Sequence, residues 1–130
     1  MRRKVSEQTY SDTQADIRDE LRDYSAGACT SFADSVCVCG GREFQLALDE
    51  NAGAAIRTCW RCHQEHAMTG EPDIAELEEC ECLCGADRFE LTCGAAADWF
   101  FVGARCTACG LTGCYGDWES KAAPSLLAAV

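Results

Sequence analysis

The chain has 130 residues, 12 of them cysteine, and a formal charge of −11 from 22 acidic residues against 11 Lys and Arg. That length suits one compact domain or two very small ones, each needing a staple beyond its own core. So acidic a surface repels phosphate backbones and anionic lipid, which speaks against nucleic acid and membrane as partners and favours a basic protein.

The opening "MRRKVSEQTYSDTQADIRDE" is basic at Arg2, Arg3 and Lys4 but has no apolar run behind it. No signal peptide is visible, and no stretch approaches the length of a transmembrane helix. These features point to the reducing cytosol, where clustered cysteines bind metal more often than they pair as disulfides. Residues 11–34 then read as helical, with Ile17, Leu21, Tyr24 and Ala28 on one stripe. Ser11 with Gln14 fits a capping box, and Gly27 weakens the middle and divides the helix.

From residue 37 onward the chain repeats. "CVCGGREFQLALDENAGAAIRTCWRCHQEHAM" (37–68) aligns with "CLCGADRFELTCGAAADWFFVGARCTACGLTGCY" (82–115). Cys37 falls on Cys82, Cys39 on Cys84, Phe44 on Phe89 and Leu46 on Leu91; after a two-residue insertion, Cys59 meets Cys106 and Cys62 meets Cys109. The gaps between the cysteine pairs are 19 and 21 residues, close to metal-module spacing. Two short knuckles bring four thiolates together in a tetrahedral cage, which zinc accepts readily. The residue after each knuckle is Gly40, Gly85 or Gly110, and in the fourth His63; a positive φ there lets the backbone turn under the metal. We therefore expect two structural zinc ions, one on Cys37, Cys39, Cys59 and Cys62, the other on Cys82, Cys84, Cys106 and Cys109. The register leaves open an exchange of Cys80 for Cys82. It gives Cys29, Cys80, Cys93 and Cys114 no ligand role, and Cys93 stands where the first repeat has Leu48, a buried apolar position.

Each repeat reads as β. "EFQLAL" and "RFELTC" alternate in the same register, "DENAG" and "GAAAD" make turns, and "AAIRTCW" and "WFFVGARC" return as second strands. "LTGCYGDW" adds a third strand to the second repeat. Between the repeats "TGEPDIAELEE" reads as a linker with a helical turn after Pro72, and the tail "APSLLAAV" is apolar enough to dock, with Leu126 and Leu127 covering the second repeat or meeting a partner.

At these residues the chain resembles a zinc ribbon, with paired cysteine knuckles on β-hairpins, here in tandem over 37–118. Common ribbons carry C-x2-C-G at both knuckles; this chain has C-x-C-G at Cys37 to Cys39 and Cys82 to Cys84. The closing "CTACGLTGCYGDW" is also similar to small bacterial cysteine-rich proteins with no established activity. The resemblance implies a small metal-stapled α+β fold, an N-terminal helix packed on two zinc-ribbon-like β-hairpin units. Its parts are a helical segment (1–35), a first ribbon (36–70), an acidic linker (71–80), a second ribbon (81–120) and a tail (121–130).

Four thiolates close a zinc site and leave no position for water or substrate, so catalysis is not expected. His63 and His66 follow a knuckle and read as surface groups beside the metal, with His66 open as a replacement ligand. A single iron on four thiolates is the alternative metal, distinguished by its colour. Residues 71–81, "EPDIAELEECE", hold six acids and no base. Glu71, Asp73, Glu76, Glu78, Glu79 and Glu81 are thus the expected contacts for a basic protein partner, and in size and charge the chain is similar to acidic immunity proteins. The competing reading is a nucleic-acid-associated ribbon using Arg57, Arg61, Arg105, Trp60 and Trp99, which the net charge opposes.

Overall fold

The structure, a computed structural model, describes residues 8–71 and 73–130 and the main chain of 2–3; the side chains of the basic N-terminal cluster and Pro72 lie outside the described residues. The chain is mostly β-sheet with two short helices. Its first half holds β1 (Arg2–Arg3), β2 (Thr9–Tyr10), α1 (Asp16–Tyr24), β3 (Ser31–Asp34), β4 (Phe44–Asp49), β5 (Ala54–Cys59) and β6 (Glu65–Thr69). Its second holds β7 (Glu78–Cys80), β8 (Phe89–Ala95), β9 (Trp99–Cys106), β10 (Leu111–Glu119) and α2 (Ala123–Leu126), followed by a 3-10 turn at Leu127–Ala129.

The helix expected over 11–34 is confined to α1. It starts late because Ser11 is drawn to β10, its main-chain amide donating to Gly110 O at 2.9 Å and its hydroxyl pairing with that of Thr112. No capping box forms; the Asp16 carboxylate instead accepts from the amide and hydroxyl of Thr13, each at 3.1 Å. It stops where Gly27, at φ +85°, turns its N–H back to Arg22 O at 2.8 Å. Residues 31–34 then extend as β3 because β8 offers an open edge, with Ser31 opposite Ala95 and Asp34 opposite Thr92.

Strands β4–β5–β6 and β8–β9–β10 form two antiparallel three-stranded units. The sequence repeat reappears in their pairing. Phe44 lies opposite Cys59 as Phe89 lies opposite Cys106, and the two phenylalanines face each other where β4 meets β8. Each unit carries a bulge at the same place, pushing Met68 and Tyr115 into the core. The strand ahead of each unit is given to the other one. β3 pairs with β8, while β7 pairs with β4, and Ala47 opposite Glu79 is the counterpart of Thr92 opposite Asp34. The stretch read as a linker, 71–80, therefore ends inside the sheet.

One apolar core runs through both units, built on Phe44, Leu48, Phe89, Leu91, Phe100 and Trp118. A second, smaller cluster lies on the outer face of β8–β10, where Ile17 and Leu21 of α1 meet Cys29, Phe101 and Cys114. The helix thus packs on the second unit and not across both. Its close approach needs Gly103, since a Cβ there would stand 2.5 Å from Ile17 Cγ2. The tail docks as expected of an apolar segment, and its target spans both units. α2 lies against β8 and β9, while Val130 O accepts from Arg57 Nε and from Ser35 Oγ, each at 2.9 Å.

Candidate metal centres

The residues that make each centre come from two knuckles at one end of a three-stranded unit. In the C-x-C-G knuckles the chain folds back within one tight turn. Gly40 N–H reaches Cys37 O and Gly85 N–H reaches Cys82 O, both at 2.8 Å, and Cys37 and Cys82 donate onward to Gly41 O and Ala86 O. In the C-x2-C knuckles the turn is one residue wider, from His63 N–H to Cys59 O and from Gly110 N–H to Cys106 O. All four residues after the knuckles have positive φ: Gly40 +89°, His63 +64°, Gly85 +92° and Gly110 +84°. His63 adopts a conformation that glycine takes without strain.

The sulfurs of Cys37, Cys39, Cys59 and Cys62 lie within 4.8 Å of one another, and so do those of Cys82, Cys84, Cys106 and Cys109. These are the eight cysteines singled out by the repeat. The separations include 3.5 Å for Cys37 to Cys62, 3.7 Å for Cys39 to Cys59, 3.6 Å for Cys82 to Cys109 and 3.7 Å for Cys84 to Cys106. A disulfide is about 2.05 Å long, so none of these is a bond. A zinc tetrathiolate with bonds of about 2.3 Å has edges of about 3.8 Å, and the clusters fit that size. Main-chain amides also point at the sulfurs: Gly41 N–H at Cys39, 3.4 Å, and Arg61 N–H at Cys59, 3.3 Å. Amide donation, chiefly from Cys39, pulls the Cys37 thiol down to about 6, whereas burial pushes Cys82 up.

The other four cysteines stand apart from both clusters. Cys80 is buried on β7, so it is Cys82 that joins Cys84. Cys29, Cys93 and Cys114 are buried in the two apolar clusters. Burial raises all three thiols, Cys29 to about 11. No histidine joins either centre among the described residues. His63 is exposed, and His66 Nε2 lies 2.6 Å from Ala129 O.

The acid run is spread out. Glu71, Asp73 and Glu76 are exposed on the loop before β7, and the Asp49 carboxylate clamps that loop by accepting from Glu76 N–H at 2.8 Å. Glu78 and Glu79 alternate across β7, and Glu81 is half-buried beyond it. The residues named for nucleic acid are largely engaged elsewhere. Arg57 is buried over the Phe44 ring at 4.6 Å, Arg105 pairs with Glu90 at 2.9 Å, Arg88 caps Trp60 at 4.8 Å, and Trp99 donates its indole N–H to Asp117 at 2.8 Å. Arg61 alone of the set is exposed and without such a partner among the contacts described.

Sequence reasoning passed over the middle residue of each C-x-C. Val38 and Leu83 are repeat equivalents, both apolar, and both exposed, at 91 % and 56 %. The signal was in the alignment, since each is an apolar residue at a turn tip. No helix among the described residues is long and apolar enough to cross a membrane. Comparison with protein-family models, with curated proteins and with solved structures finds nothing that matches this chain.

Proposed function

We propose that this chain is a non-enzymatic protein-interaction module, a tandem zinc ribbon that presents an acidic surface to a basic protein in an inhibitor or immunity-type role. The observation that carries this reading is the pair of four-cysteine clusters, each sized for a tetrahedral ion and each closed by its own four sulfurs. Four thiolates around one zinc leave a charge of about −2 and no open coordination position. Two such centres add to a formal charge of −11, and they staple a surface that steers cationic partners toward it.

Metal analysis after gentle purification tests the first half. About two zinc per chain, in a colourless protein, are expected; a red protein would assign iron instead. Because structural zinc contributes on the order of 10 kcal/mol per site to folding, strong chelator under reducing conditions should melt the β-structure. The second half is tested by recovering the partner and measuring its association rate at two salt concentrations. Replacing Glu71, Asp73 and Glu76 by their amides should slow capture and flatten the salt dependence, with zinc content unchanged. A partner whose capture is indifferent to salt would overturn the electrostatic reading.

A further inference from the structure

The two units are alike in their internal pairing but not in what surrounds them: β1 lies beside β7 with Arg2 opposite Glu79, whereas β3 has no such neighbour among the described residues. On the outer face of the second unit lies α1, and β2 covers the edge of β10, with Tyr10 opposite Leu111. The same face of the first unit is an open groove of about 370 Å³, lined by Ala47, Ile56, Thr58, Glu65, Leu77 and Glu79 among others. Among the described residues β6 pairs with β5 alone. Repeat by repeat, Ala47 stands for Thr92, Leu77 for Phe32 and Glu79 for Asp34. In the second unit, Arg18 of α1 pairs with Asp34 at 3.4 Å, and Arg18 and Arg22 lie over the Phe32 ring at 5.6 and 4.8 Å. The first unit thus keeps the acid and the apolar residue that a helix like α1 uses, and among the described residues its groove is lined by two glutamates and no Lys or Arg, with the main chain of Arg2 in β1 opposite Glu79.

We infer that this groove of the first unit is the docking site for a cationic amphipathic helix of the partner protein, seated as α1 is seated on the second unit. The inference rests on the reading of an acidic module for a basic protein and names the surface and the shape that reading leaves open. Two differences between the units shape the partner. Ile56 replaces Gly103, where an added Cβ would stand 2.5 Å from Ile17 Cγ2, and Asp49 replaces Gly94, where one would stand 3.2 Å from Leu21 Cδ1. The docking helix must therefore carry a small residue at the position of Ile17. Following α1, a basic residue comes next, to meet Glu79. An apolar residue three further on takes the place of Leu21, and a second basic residue follows it over Leu77.

The probe is a synthetic peptide of about 18 residues, long enough to hold helix, built on the α1 register with Ile17→Ala and with lysine in place of its acids. A second peptide of the same composition, broken by two prolines, has the charge without the helix. Anisotropy should show the helical peptide binding at least about tenfold more tightly than the broken one, since apolar contact adds to charge. Amide shifts should centre on Ala47, Ile56, Glu65 and Glu79. The Glu65→Lys/Glu79→Lys and Ile56→Lys variants should each weaken binding at least about tenfold with zinc content unchanged, while the loop amides used above (Glu71→Gln, Asp73→Asn, Glu76→Gln) should act through the association rate and weaken it less than either groove variant. Equal binding of the two peptides, or shifts centred on the loop 71–77, would overturn the groove and leave the acidic module standing. No binding of either cationic peptide would overturn both. Self-association of the protein abolished by Ile56→Lys would assign the groove to a second copy and overturn the inference.

Discussion

His63 is the residue at which the knuckle geometry and the side chain disagree. At φ +64° it occupies the place held by glycine in the other three knuckles. His63→Gly should raise stability by up to about 1 kcal/mol, and Gly40→Ala should lower it by about 1–2 kcal/mol. Denaturant unfolding of the zinc-loaded variants checks both. At the cysteines, Cys82→Ser should cost one zinc per chain and Cys80→Ser none, measured by metal analysis on the folded variants. Asp49 supplies a prediction in pH. Its carboxyl is held below its ordinary value of 3.8 by the amide of Glu76 first, then by those of Ala52 and Asn51. The clamp is therefore intact above that ordinary value and is lost as pH falls through the lower value of the folded state. Because acid also strips thiolate-bound zinc, the clamp is tested at neutral pH, where Asp49→Ala should speed hydrogen exchange of the Glu76 amide with zinc content unchanged.

At the level of elements, α1 is seated over two glycines, Gly103 under Ile17 and Gly94 near Leu21. Gly103→Ala should cost about 1–3 kcal/mol by overpacking, because the new methyl lands on Ile17. Ile17→Ala in the same chain should relieve the clash, leaving the double variant more stable than the sum of the single losses, as a double-mutant cycle would show. What was legible here follows from what sets each element. The hairpins of both repeats were readable because Phe44, Leu46 and Leu48, and their counterparts in β8, alternate strictly toward a shared core. The clusters were readable because cysteine spacing is a local constraint. β3 was not, because Phe32 comes four residues after Ala28 and so continues the helical stripe as readily as it fits a strand, and only the edge of β8 decides between them. β7 was not, because "EEC" has no periodicity of its own and pairs by tertiary opportunity. β6 could have been read by carrying the third strand of the second repeat back across the alignment. "EHAMT" hides it because its bulge breaks the alternation.

Because each unit is completed by a strand from ahead of the other, the whole molecule should unfold as one cooperative body. Cys59→Ser should therefore lose one zinc and lower hydrogen-exchange protection in β8 as well as in β4, through Phe44 against Phe89. Protection in β8–β10 left unchanged would mean that the units are energetically separate. Chelator unfolding followed by tryptophan fluorescence and by far-UV circular dichroism should give a single transition. The exchange also sets a timetable. During synthesis α1 and β3 leave the ribosome early, yet Asp34 waits for Thr92, 58 residues later, before its hydrogen bond can form. The first four cysteines emerge before that and lie close in sequence. An ion bound to them at that stage would precede the sheet, and it would hold the first unit in register until the strands that close it have been made.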